Sequence, residues 1–181
     1  MSLQDKSKKL KTVSLGAVFL GISVIISIVE SVSGINAAIP MPGVKLGFCN
    51  IAITACLYIC GVKAALAVSL LRPLFLFMFS ANPVSLAMSY GGTVLSFASL
   101  IMTKKLYGKV FTFCGISCIS AVFHAIGQTI CAIIIMGDGA LLSYLPLFAA
   151  ASSVTGTVSG AVMNTVIPRL KLFTSKKGGR V

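Results

Sequence analysis

Residues 13–33 carry one charged side chain, Glu30, and otherwise nothing that seeks water more strongly than serine. A helix of that length rises about 30 Å, the thickness of a bilayer's hydrocarbon. Comparable apolar runs follow at residues 46–61, 64–80, 84–102, 112–136 and 141–167. Segments this long and this apolar satisfy their backbone groups internally as helices and bury their side chains in lipid. Composition closes the alternative: 57% of the chain is hydrophobic and 10% charged, whereas a soluble domain carries about a quarter of its residues as charges. The expected fold is all-α, a membrane protein of six transmembrane helices.

Charge sets the expected orientation. The sequence holds 15 basic and 3 acidic residues, for a net charge of +12. Such a balance would suit nucleic acid, but the basic residues come in short runs between apolar segments, with no aromatic residues interleaved. Thirteen of the 15 (Lys6, Lys8, Lys9, Lys11, Lys63, Lys104, Lys105, Lys109, Arg169, Lys171, Lys176, Lys177 and Arg180) fall on one side of a six-span arrangement. The other side holds Lys45, and Arg72 lies within a span. Positively charged loops stay in the cytoplasm, so both termini are expected there, in the cell membrane, with residues 34–45 outside. This divides the chain into a basic N-terminus (1–12), a six-helix domain (13–168) and a basic tail (169–181). The first apolar run is longer than a signal-peptide core and lacks a small-residue cleavage site, so it reads as the first span.

Several chemistries lack their residues. No Walker A loop is present for ATP hydrolysis. Three acids, Asp5, Glu30 and Asp138, cannot supply the paired aspartate motifs that hold magnesium against a prenyl diphosphate. The six cysteines (Cys49, Cys56, Cys60, Cys114, Cys118 and Cys131) lie in or beside apolar runs, and two pairs are spaced i,i+4 instead of C-x-x-C. They read as small packing residues, with no metal or cofactor expected. A membrane redox or scaffold role through the cysteines and His124 is a minor alternative. The chain is expected to be a binding protein and not an enzyme.

Polar side chains inside spans are costly and are functional candidates by default. Arg72 lies about 12 Å into the third segment, counted from Ala64, and Pro73 beside it can kink the helix. Either it pairs with Glu30 as a structural ion pair, or its planar fork binds a carboxylate or phosphate. His124 and Gln128 share one face of the fifth segment, for packing or for ligand contact. Glu30 and Asn50 stand at the outer ends of the first two segments. Lys45 either snorkels to the interface or reaches a ligand. Tyr90 with Gly91-Gly92 fits close helix packing better than ligand approach, Asp138 reads as a solvated turn residue, and Asn164 as an interhelical hydrogen bond. Glu30, Asn50, Arg72, His124 and Gln128 all fall between mid-membrane and the outer face, which suggests an outward-opening pocket capped by residues 34–45. On the first segment Ala17 and Gly21, with Gly16, form a smooth small-xxx-small face.

The run E-x9-P-x-P-G-V-K-L-G-x-x-N from Glu30 to Asn50 resembles a known pattern. So do Gly61 with Arg72, S-Y-G-G at 89–92, F-x-x-x-G-I-S from Phe111 to Ser117, and H-x-x-G-Q at 124–128. Together they resemble the Gx transporter family, often labelled heptaprenyl diphosphate synthase component I, over about residues 13–168. Ala125 departs from the family's usual Asn. The family is similar to the S components of energy-coupling factor (ECF) vitamin transporters. That resemblance implies a six-span bundle with an outward pocket, docking through Ala17 and Gly21 on a transmembrane coupling subunit driven by two ATPases. The expected function is a substrate-binding subunit for uptake of a small anionic or heteroaromatic nutrient, held by Glu30, Lys45, Asn50, Arg72, His124 and Gln128. The family label implies an alternative, an accessory membrane subunit of heptaprenyl diphosphate or menaquinone synthesis.

Overall fold

The computed structural model describes residues 3–33, 45–105, 107–108 and 112–176, without the side chains of residues 3, 4, 8 and 171–176. Among these residues six α-helices follow one another: α1 (Leu3–Val32), α2 (Asn50–Ile59), α3 (Val62–Ser80), α4 (Pro83–Lys104), α5 (Phe113–Met136) and α6 (Leu145–Lys176). A short 3-10 turn at Gly139–Tyr144 leads into α6. Most of residues 34–45, expected to cap the pocket, lies outside the described residues, as do Lys109, Lys177 and Arg180.

Five of these helices, all but α2, are long and apolar enough to cross a membrane. The second apolar run differs from its expected 46–61 span. Its helix has 10 residues, a rise of about 15 Å or half the hydrocarbon thickness. Lys45–Gly47 is not helical, Phe48 and Cys49 form a turn, and Gly47 has φ +90°, a conformation that favours glycine. Hydropathy misses this because Leu46, Phe48 and Cys49 are as apolar as the helix they precede.

Local signals account for the other boundaries. Asn82 caps α4 by accepting the N–H groups of Val84 (3.0 Å) and Ser85 (3.2 Å), with Pro83 at the first helical position, where its missing N–H costs nothing. Gly137, at φ +69°, terminates α5. Exposed Asp138 accepts from Ala140 N at 2.8 Å, so this turn residue also caps the 3-10 turn.

Helix α5 packs between α4 and α6, while α1 packs on α2 and α3. Short α2 touches α1, α3, α5 and α6, so the segment that feeds it lies in the middle of the bundle. Small residues permit the closest approaches. Gly91 and Gly127 bring α4 against α5, and a Cβ at Gly156 would stand 2.7 Å from Cys118 Cα across the α5–α6 contact. Asn164 on α6 donates to Cys114 Sγ on α5 at 3.5 Å, the interhelical bond its position suggested.

Candidate functional site

Segment 45–50 is the hub of the bundle, and each of the five long helices sends a side chain to it or to the residues holding it. From α1, Glu30 Oε1 accepts the N–H groups of Leu46 and Gly47, the latter at 3.2 Å. From α3, Arg72 Nη1 donates to Cys49 Sγ, while Nη2 donates to Thr93 Oγ1 of α4 at 3.2 Å. Also on α4, Ser96 Oγ lies 3.5 Å from Asn50 Oδ1. From α5, Gln128 Oε1 accepts the Lys45 N–H at 3.1 Å. From α6, Thr155 Oγ1 donates to Leu46 O at 3.0 Å. Arg72 and His124 sit mid-way along α3 and α5, so this irregular backbone lies at mid-helix depth. Non-helical backbone at such depth is tolerated only when protein groups satisfy it, and these bonds do so.

Gln128 also fixes the histidine. Its Oε1 faces an N–H, so its Nε2 is the donor in the 2.7 Å contact with His124 Nε2. The imidazole therefore accepts at Nε2 and carries its proton at Nδ1, an assignment made from the network. His124 Nδ1 stands against Gly92, where a Cβ would lie 2.9 Å away. A side chain at Gly47 would likewise come within 3.3 Å of Asn50 Nδ2 and 3.6 Å of His124. Gly92 thus makes room for the imidazole, whereas at Gly47 a Cβ would only touch it at ordinary contact distance.

All six residues marked by the sequence are brought together: Glu30, Lys45, Asn50, Arg72, His124 and Gln128 are each at most 6% exposed. Their positions remove one of the two alternatives for Lys45 and correct the expectation for Asn50. Lys45 is buried against α5 and does not snorkel to the surface. Asn50 opens α2 at mid-bundle depth and not at the outer face, because the chain re-enters the bundle as loop before α2 begins. Hydrogen bonding around the cluster is incomplete: Glu30 Oε2, Asn50 Nδ2, Arg72 Nε and His124 Nδ1 are buried and meet no hydrogen-bond partner. Buried polar atoms left unpaired are costly, and these four lie in one cluster.

Five further residues belong here that sequence reasoning did not mark: Gly47, Cys49, Thr93, Ser96 and Thr155. One signal was available. On α4, Ser85, Ser89, Gly92, Thr93, Ser96, Ser99 and Thr103 recur at helical spacing, and all are buried, so a polar stripe faces the bundle. Tyr90, by contrast, turns away and donates its hydroxyl to Leu70 O on α3 at 3.2 Å. Ala17 and Gly21 are exposed, and a Cβ at Gly21 would meet nothing within 4 Å. Among the described residues, no others cover that face of α1.

A family model described as heptaprenyl diphosphate synthase component I matches residues 19–166. The chain belongs to this family. The matched region starts within α1 and stops within α6, so it contains every residue of the cluster. No curated protein and no solved structure matches the chain. The heptaprenyl diphosphate synthase component I family is named for one component of an assembly, and this member has the helices of a membrane protein.

Proposed function

We propose that this chain is a membrane-embedded subunit that captures a small anionic solute in the cluster around Arg72. The observation that carries this reading is a charge imbalance in a closed site. Two basic residues, Arg72 and Lys45, are buried against a single acid, Glu30, which leaves a formal surplus of one positive charge. The other acids are distant in sequence and fold: Asp5 opens α1 and Asp138 caps an exposed turn. A buried charge without a partner costs several kcal/mol, and an anionic ligand would remove that cost. Arg72 Nε and Asn50 Nδ2 would donate to it, His124 Nδ1–H would add a third donor, and Glu30 Oε2 would accept from a hydroxyl or amine on the same molecule.

In this reading both termini are cytoplasmic, and the half-length α2 together with the segment before it makes the sixth crossing. Ala17 and Gly21, exposed on α1, dock a transmembrane coupling subunit that works with two ATPases, as in S-component transporters. The chain then binds and reorients, and a partner supplies the energy.

A second reading takes the family name as its starting point: an accessory membrane subunit of heptaprenyl diphosphate synthesis. With no paired aspartate motif in the sequence, catalysis would belong to another subunit. Affinity purification of the tagged chain from its own membranes separates the two. Transport expects a transmembrane protein and two ATPases, and cells that lose uptake of one solute when the chain is deleted. The second reading expects a soluble, aspartate-rich synthase whose activity falls on deletion while uptake is unchanged.

A further inference from the structure

Helix α4 supplies none of the six site residues, yet three of the six lie against it. Arg72 Nη2, from α3, donates to Thr93 Oγ1 at 3.2 Å. Ser96 Oγ donates to Asn50 Oδ1, at the start of α2, at 3.5 Å. Gly92 faces the His124 ring of α5, where a Cβ would lie 2.9 Å from Nδ1. Gly92, Thr93 and Ser96 are all buried, so one short stretch of α4 faces a guanidinium, an amide and an imidazole together.

The two hydroxyls differ from others on the same helix. A serine or threonine inside a helix commonly bonds a carbonyl three or four residues back, as Ser99 does to Ser96 O and Thr103 does to Ser99 O, both at 2.7 Å. Thr93 and Ser96 bond side chains from other elements. Each holds one end of its partner and leaves the other end free. Arg72 is held at Nη2 by Thr93 and at Nη1 by Cys49, while its buried Nε meets no partner among the described residues. Asn50 is held at Oδ1, and its buried Nδ2 likewise meets none. A guanidinium bonded at both terminal nitrogens cannot swing without breaking one of those bonds, so Thr93 and Cys49 together fix where Nε–H points.

We infer that Thr93, with Ser96 one turn along, is a positioning residue: it aims the free donor of Arg72, as Ser96 aims that of Asn50, at the bound anion without touching the anion itself. This rests on the reading of the cluster as an anion site. The test purifies the full chain from its own membranes and quantifies, by mass spectrometry, the anionic compound released per chain on denaturation, with thermal unfolding measured beside it. Thr93→Val removes the hydroxyl at nearly constant shape and is expected to lower retention about tenfold, the scale of one hydrogen bond to a charged group. Thr93→Ser puts the hydroxyl back and is expected to return retention to within about twofold of the wild type. Thr103→Val, which removes a buried hydroxyl bonded within α4 itself, is expected to keep the compound whatever its melting does. A Thr93→Val chain that keeps the compound while Arg72→Ala loses it would overturn the inference and leave the anion site standing. Equal depletion by Thr103→Val, or no recovery in Thr93→Ser, would also overturn it, because the loss would then follow packing and not the hydroxyl on Arg72. A wild type that releases no anion removes the anion-site reading, and this inference with it.

Discussion

Glu30 Oε1 accepts the backbone N–H of Gly47 at 3.2 Å and that of Leu46 beside it, joining the last turn of α1 to the loop that starts α2. Neither N–H is positioned for a helix bond, so the carboxylate satisfies them. Glu30→Ala leaves both without an acceptor, at about 1–3 kcal/mol each. Glu30→Gln keeps a carbonyl oxygen in place and is expected to retain most of the stability while losing charge balance with Arg72. Thermal unfolding of the detergent-solubilised variants measures the difference, and equal melting of the two would disprove the role given to Oε1.

Gly92 leaves room for His124. An alanine there would put its Cβ 2.8 Å from His124 Cε1 and 2.9 Å from Gln128 Cγ, inside contact distance. Overpacking of this kind costs about 1–3 kcal/mol, and the ring must shift off its bond to Gln128. Gly92→Ala is expected to insert in the membrane normally, melt lower and bind solute poorly. Gly139→Ala, at an exposed and open position, serves as the control and should do neither.

Gln128 bonds Lys45 N–H and His124 Nε2 at once. Gln128→Leu orphans both groups and removes the restraint that sets the imidazole tautomer. Loss of about 1–3 kcal/mol of stability is expected, and a nitrogen-15 spectrum of the histidine should change from one tautomer to a mixture. A spectrum that stays with the proton on Nδ1 would contradict the assignment.

Much of this architecture was legible from hydropathy alone, since the segments around α1, α3, α4, α5 and α6 are too apolar to be anything but buried or lipid-facing. The site residues were legible for a related reason: Arg72, His124 and Gln128 are conspicuous where polar groups are costly. What stayed hidden was the break before α2. Leu46, Phe48 and Cys49 continue the apolar run, and only Gly47 marks the change of backbone. Thr93, Ser96 and Thr155 escaped notice because hydroxyls are common in spans, where they bond to their own helix; only the fold reveals that Thr155, besides Ser152 O of its own helix, reaches Leu46 O. Cys49 resembled five other packing cysteines until Arg72 was found against it.

The orientation proposed above has its own test. If α2 and the segment before it complete a sixth crossing, the turn at Gly61 and both termini lie inside, and the Gly137–Gly139 turn lies outside. Single cysteines placed at Lys6 and at Gly139 in a cysteine-free chain should react oppositely with a membrane-impermeant thiol reagent on whole cells, only Gly139→Cys being labelled. Labelling of both, or of neither, would mean that the half-length helix does not complete a crossing.

The anion site itself is open to one direct measurement. The full chain is purified from its own membranes in mild detergent and denatured, and the released small molecules are identified by mass spectrometry beside Arg72→Ala and Lys45→Met variants. The expected result is one anionic compound approaching one per chain in the wild type, depleted at least about tenfold in both variants, since removing one partner of a buried charged contact costs 2 kcal/mol or more. A wild type that releases no such compound, or a monodisperse Arg72→Ala protein that retains it in full, would contradict the proposal that Arg72 holds an anionic solute.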